Sequence, residues 1–243
     1  NFNDYITAPE VNLILSIQTY QEAIHSQSYA VILETVVDSQ DRDDIYYFWK
    51  NDKHLLERNE FIGNIYQEFV DNPNDKNFFR GVIGNFLLES IYFYNGFAFF
   101  DTLADQGKMV ATDRMINYIR RDELTHVTIF ANIIKEIKVE FPDVYNEAMI
   151  YEMMGVAVDQ EIKWSKHILG TNIIGMSHSN IENYTKWLAN ERLSMIGLKP
   201  LYEDVTANPY KHLDRLQDNN GEKGNFFEST VTNYAQSSAM NGS

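Results

Sequence analysis

Residues 113–139 read DRMINYIRRDELTHVTIFANIIKEIKV. The apolar residues Ile116, Ile119, Phe130 and Ile133 recur at helical intervals, neither glycine nor proline interrupts them, and Pro142 follows as a stop. The stretch predicts one long α-helix. At its centre stands Glu123-Leu124-Thr125-His126. Three residues is close to one helical turn, so the carboxylate and the imidazole share a face and can bind one ion together. Charged groups on an apolar face must be paired or metal-bound, because an isolated buried carboxylate takes up a proton instead.

The same pattern recurs at Glu22-Ala23-Ile24-His25. That pair falls in a helix predicted to start at the capping box Thr7-Ala8-Pro9-Glu10 and to run to about Val37. Leu15, Tyr29, Ile32 and Val36 share its face, while Leu13, Ile17, Ile24 and Val31 occupy another. A helix apolar on several faces is expected to be central and buried. A third carboxylate, Glu89, lies on the stripe Val82, Phe86, Phe93, Phe97 and Phe100, in a helix expected to run from Asn72-Pro73 through Phe100. One Glu-x-x-His alone is a weak signal. Two of them, both in mid-helix, together with Glu89, predict a dinuclear metal site between the helices of a bundle. Carboxylates with imidazoles suit iron or manganese.

The remaining segments also read as helices: one or two over 41–68, one from Asp143 to Leu169 capped by Gly170, and one from the box Ser179-Asn180-Ile181-Glu182 to Gly197. The fold class is therefore all-α. One bundle domain is expected over 1–209, with a flexible polar tail over 210–243. The 243 residues carry 20 Lys+Arg against 35 Asp+Glu, a net charge of −15, and no cysteine. That excludes disulfides, thiolate nucleophiles and cysteine-ligated metals. The acidity argues against a nucleic-acid partner. With no signal peptide and no apolar run long enough to cross a bilayer, a cytoplasmic protein without a membrane partner is expected. His54, His167, His178 and His212 read as surface residues, and Trp49, Trp164 and Trp187 as packing.

Three segments carry a family resemblance: Gln21-Glu22-Ala23-Ile24-His25-Ser26-Gln27-Ser28-Tyr29, Leu88-Glu89-Ser90-Ile91-Tyr92-Phe93-Tyr94-Asn95-Gly96-Phe97, and Arg121-Asp122-Glu123-Leu124-Thr125-His126. In order and spacing they resemble the radical-generating small subunit of class I ribonucleotide reductase. Gln160-Glu161-Ile162-Lys163-Trp164 and Ala189-Asn190-Glu191-Arg192-Leu193 extend the likeness, which runs from about Ala8 to Leu201. The resemblance implies a ferritin-like helical bundle whose dinuclear iron or manganese centre is held by Glu22, His25, Glu89, Glu123 and His126. It implies a stable tyrosyl radical at Tyr29, an apolar pocket of Phe93, Phe97 and Ile119 around it, and Asp122 on the electron-transfer route. Tyr29 also lies one helical turn beyond His25 on the same face. Tyr234 corresponds to a tail tyrosine that relays the radical to a separate catalytic large subunit, where ribonucleotides are reduced to deoxyribonucleotides. A homodimer is implied as well. Asn225-Phe226-Phe227 followed by Tyr234 looks closer to the manganese-using branch with a flavodoxin-like activator.

Two features depart from the family pattern. Its fourth carboxylate, an Asp on an earlier helix, has no counterpart before Glu22, and Asp4 is not assigned as a ligand. An N-terminal tryptophan relay and an acidic, aromatic C-terminal end are also missing. The expectation is a piece of a longer protein, a chain completed by a separate N-terminal fragment, or a site that is incomplete. The competing readings are another oxygen-activating di-metal protein (a ligand-binding oxidase or a ferritin-type store) and a metal-free structural subunit.

Overall fold

The computed structural model describes residues 2–214, and within them every regular element is helical. The α-helices are α1 (Phe2–Tyr5), α2 (Pro9–Val36), α3 (Arg42–Tyr46), α4 (Lys53–Asp71), α5 (Asp75–Ser90), α6 (Tyr94–Asp105), α7 (Val110–Glu140), α8 (Glu147–Leu169) and α9 (His178–Met195). None is long and apolar enough to cross a membrane. Side-chain acceptors fix four of the starts. Asp52 caps α4 through the amides of His54 and Leu55, Asn74 caps α5, Asn146 caps α8, and Ser177 caps α9. The box expected at Ser179 is thus replaced by Ser177, two residues earlier. The box expected at Thr7 does not form: Ala8 is the capping residue and offers no side-chain acceptor, so Pro9 at the first position sets that start. Helix α9 closes with Gly197 at φ 74°, its amide bonded to Ser194 O and that of Leu198 to Leu193 O. This is the left-handed stop that glycine adopts without strain.

Helix α7 is the spine, packed against α5, α6 and α2, while α8 packs on α4, α5 and α9. Phe79, Val82, Ile83, Phe86 and Leu87 of α5 meet Ile116, Val127, Phe130 and Ile134 of α7 in a core that continues to Ile150 and Met154 of α8. The packing extends past 209, since Tyr210 and Leu213 are buried. The rest of the expected tail, with Tyr234, lies outside the described residues.

Further expectations are corrected. Helix α2 is not enclosed: only Leu15, Gln18 and His25 are buried, and Leu13, Ile17, Ile24, Val31 and Val36 are exposed. Among the described residues its main neighbour is α7, so its other apolar faces have nothing to pack on. The single helix expected from 72 to 100 is two helices, interrupted at Ile91–Phe93. His167 is exposed, as expected, and His54 is half-buried; the two meet at the surface. Their rings lie 4.8 Å apart, and His167 Nε2 is 2.8 Å from Asp52 Oδ2. Trp49, read as packing, is exposed.

The α6–α7 contact contains a buried acid pair. Asp101 holds Arg120 Nη2 at 2.8 Å, and Asp113 accepts from Asn117 Nδ2 at 3.2 Å. Burial, and then the charge of Asp101, push Asp113 up to about 7. A carboxyl raised in the folded state contributes stability below its unfolded pKa and loses it as pH rises through the folded one. Asp113→Asn should therefore gain on the wild type between pH 5 and pH 8, by an amount of order 1–2 kcal/mol. Thermal melts of both proteins across that range check it, and a constant difference in stability would refute the assignment.

Candidate metal centre

Helices α2 and α7 bring the two Glu-x-x-His faces together. Glu123 Oε1 lies 3.1 Å from His25 Nδ1, and Glu123 Oε2 lies 3.1 Å from His126 Nδ1. Glu22 does the same from the other helix, with Oε2 at 3.6 Å from His25 Nδ1 and Oε1 at 3.2 Å from His126 Nδ1. Each of these carboxylates thus presents one oxygen to each imidazole. From α5, Glu89 Oε2 approaches His126 Nδ1 at 3.4 Å. Glu89, Glu123, His25 and His126 are buried, and Glu22 is half-exposed. Glu22, Glu89, Glu123 and His126 can place one ligand atom each within 4.8 Å of one another.

The outer nitrogens explain why the inner ones face the cluster. His25 Nε2 is 3.2 Å from Asp122 Oδ2, and His126 Nε2 is 3.0 Å from Gln21 Oε1. Both partners are acceptors, so each imidazole donates outward from Nε2 and keeps Nδ1 for the centre. Gln18 Nε2 donates to Glu89 Oε1 at 2.9 Å and orients the third carboxylate. Reading the sequence missed Gln18 and Gln21. Their signal was helical spacing, since Gln18 precedes Glu22 and Gln21 precedes His25 by four residues.

The arrangement fits a metal better than a set of ion pairs. His25 Nδ1 is buried and lacks a hydrogen-bond partner, although a carboxylate oxygen is 3.1 Å away. Buried polar atoms left in this way are costly unless something binds them. Three carboxylates and two imidazoles supply hard oxygen and borderline nitrogen donors of the kind iron and manganese take. Without a metal the charges must balance internally. Burial works against a charge on either imidazole, yet Glu123 with Glu22 holds His25 up at about 10 and His126 at about 11. Burial also pushes Glu123 up, but the hydrogen bond with His126 and the close approach of the His25 imidazole outweigh it and bring it down to about 2. Glu89 is raised to about 8, first by burial and then by its acidic neighbours.

The other expected site residues are distributed around this cluster. Tyr29, Phe93 and Phe97 line one groove of about 950 Å³, shared with Leu88, Gly96 and Phe100. Phe97 is buried, but Tyr29 is 40% and Phe93 37% exposed, so the groove is open and the apolar pocket expected around Tyr29 covers it only in part. Ile119 belongs to the packed core.

Fold and site together define a helical-bundle protein with a buried carboxylate and histidine cluster suited to metal. Residues 1–209 match the family described as ribonucleotide reductase, small chain. The chain is 42% identical over 245 aligned residues to the ribonucleoside-diphosphate reductase subunit beta of Treponema pallidum, covering 99% of this chain and 70% of that protein. Among solved structures, it resembles the ribonucleotide reductase R2 subunit from Clostridium botulinum at 47% identity and TM-score 0.85, over 89% of this chain and 69% of the other. A Streptococcus sanguinis dimanganese(II)-NrdF shares the fold at TM-score 0.76 and 20% identity, over 89% of this chain and 74% of that one. The chain belongs to the ribonucleotide reductase small-chain family.

If the cluster is the metal site, wild-type protein loaded anaerobically with Mn(II) should take up about two ions per chain. Glu89→Ala and His126→Ala should each lose at least one, as read by elemental analysis. The bound ions must displace protons from His25 and His126, so affinity should rise from pH 6.5 to pH 8 with net proton release. Binding that is indifferent to pH and to both substitutions would place the metal elsewhere.

Proposed function

We propose that this chain generates and stores an oxidising equivalent at Tyr29 for a separate large subunit that reduces ribonucleotides. The observation that carries this reading is the position of Tyr29. It follows His25 by one turn of α2, and the charges of Glu123 and Glu22 act on its phenol. Glu22, Glu89, Glu123, His25 and His126 hold a dinuclear iron or manganese centre, which when bound supplies the one-electron oxidant. Burial first, then Glu123 and Glu22, raise the Tyr29 phenol above its ordinary value. It therefore stays protonated at rest, and its electron leaves together with its proton. Phe97, Phe93 and Leu88 give the ring an apolar flank that excludes water from part of it.

Asp122 fixes the outer nitrogen of His25 and is itself partly exposed, which suits a link between the centre and the surface. In this reading Tyr234 continues the route to the large subunit, and a homodimer in the cytoplasm is the working form. At Nδ1, His25 meets Glu22 and Glu123, whereas His126 meets those two and Glu89. One further carboxylate on the His25 side, from a separate N-terminal fragment, would even the two halves. The exposed apolar faces of α2 support such a partner. A flavodoxin-like activator is proposed for the manganese form.

Tyr29→Phe should retain the metals and lose the organic-radical EPR signal formed on oxidation, with ribonucleotide reduction falling by at least 100-fold in the presence of the large subunit. Ring-deuterated tyrosine should narrow the wild-type signal. A radical that persists in Tyr29→Phe would assign the oxidised residue elsewhere.

A further inference from the structure

Helix α5 ends at Ser90, one residue after Glu89, and α6 begins only at Tyr94. An unbroken helix would reserve the carbonyls of Ser90 and Tyr92 for the amides of Tyr94 and Gly96. Instead two arginines from other helices take them. Arg58 Nη2, on α4, donates to Tyr92 O at 2.7 Å, and Arg192 Nε, on α9, makes a long 3.5 Å bond to Ser90 O. Each guanidinium also lies over a ring of the same segment, Arg58 4.7 Å from the centre of Tyr92 and Arg192 4.8 Å from that of Tyr94. Both arginines are buried, at 9% and 7% exposure. Burying a guanidinium is expensive, and a hydrophobic side chain would pack there at less cost. For Arg58 the charge is offset by Glu161, whose Oε2 is 3.1 Å away and whose other oxygen accepts from Ser165 and Asn95.

We infer that Arg58 and Arg192 are positioning residues that hold the helix break at Ile91–Phe93, and so fix Glu89 against His126 and Phe93 beside Tyr29. The geometry gives them this role because the break lies between those side chains. A straight helix would rotate Phe93 and everything after it relative to Glu89. Glu89 stands on the last turn of α5, where its backbone is free of the helix on one side. Its place is then set by what grips the chain just beyond it and by the bond from Gln18. The grip on the break stands on its own, whereas its consequence for metal rests on Glu89 being a ligand.

Two measurements test this. In the metal-free protein, Arg192→Met and Arg58→Met should speed amide hydrogen exchange across residues 88–96 by about tenfold or more, while the amides of α7 keep wild-type rates. Exchange that is unchanged there, or that rises equally throughout, would overturn the inference. In Mn(II) titrations Arg192→Met should weaken binding roughly tenfold, the scale seen when a residue supporting a ligand is removed. It should add nothing in a Glu89→Gln background, because both changes act through one carboxylate. Ile181→Val, a change in the core of α9, should lower the melting temperature and leave binding intact. Additive losses from Arg192→Met and Glu89→Gln would reduce Arg192 to a packing role. If wild-type protein binds no Mn(II), the metal assignment falls, and the exchange data alone decide whether the arginines hold the break.

Discussion

Two carboxylates shared between two imidazoles set the terms for the rest of the molecule. Glu22 and Glu123 each face both His25 and His126. That arrangement exists only while α2 and α7 hold their register, since a shift of one residue would turn either pair away from the other. The burden on packing is therefore high. α7 is held on two sides by α5 and α6, which makes Glu123 and His126 the fixed half of the site. The α2 half rests largely on the polar contacts themselves. The outer bonds, from His25 to Asp122 and from His126 to Gln21, run between α2 and α7 in opposite directions. The same contacts that orient the nitrogens thus tie the helices together.

Electrostatic balance accounts for three carboxylates sharing one buried space. Three carboxylates in one buried space would repel, and each would be driven toward its neutral form. Raising both imidazoles well above their ordinary range supplies two positive charges, and leaving Glu89 raised removes much of one negative charge. In the proposed reading, a divalent metal pair would replace those protons with four positive charges and bind His25 Nδ1 as well.

Much of the site was legible in the sequence because helical spacing is a strict ruler. Two Glu-x-x-His pairs and a lone Glu on a phenylalanine stripe need no tertiary information to be singled out. What could not be read was whatever depends on neighbours distant in the chain. The interruption after Glu89 carries no proline, and its only glycine, Gly96, lies beyond it. The groups bonded to its carbonyls are two arginines 34 and 102 residues away, so local propensity still predicts a continuous helix there. Gln18 and Gln21 look like ordinary surface polar residues until the opposing histidine and glutamate are in place. The family likeness was legible in the same segments, since they carry the two Glu-x-x-His pairs and Glu89.

The misreading of α2 is the most informative. Apolar residues on several faces predicted burial, and the sequence logic was sound. The described residues cover only the stripe that includes Leu15, Gln18 and His25. A helix of that composition is not designed to face water with Leu13, Ile17, Ile24 and Val31. On the same helix, His25 lacks the extra carboxylate that Glu89 gives His126. A single additional helix bearing an acid would meet both needs at once, covering apolar surface and balancing the two halves of the cluster. The exposed apolar faces of α2 and the smaller carboxylate share of His25 therefore belong to one and the same helix.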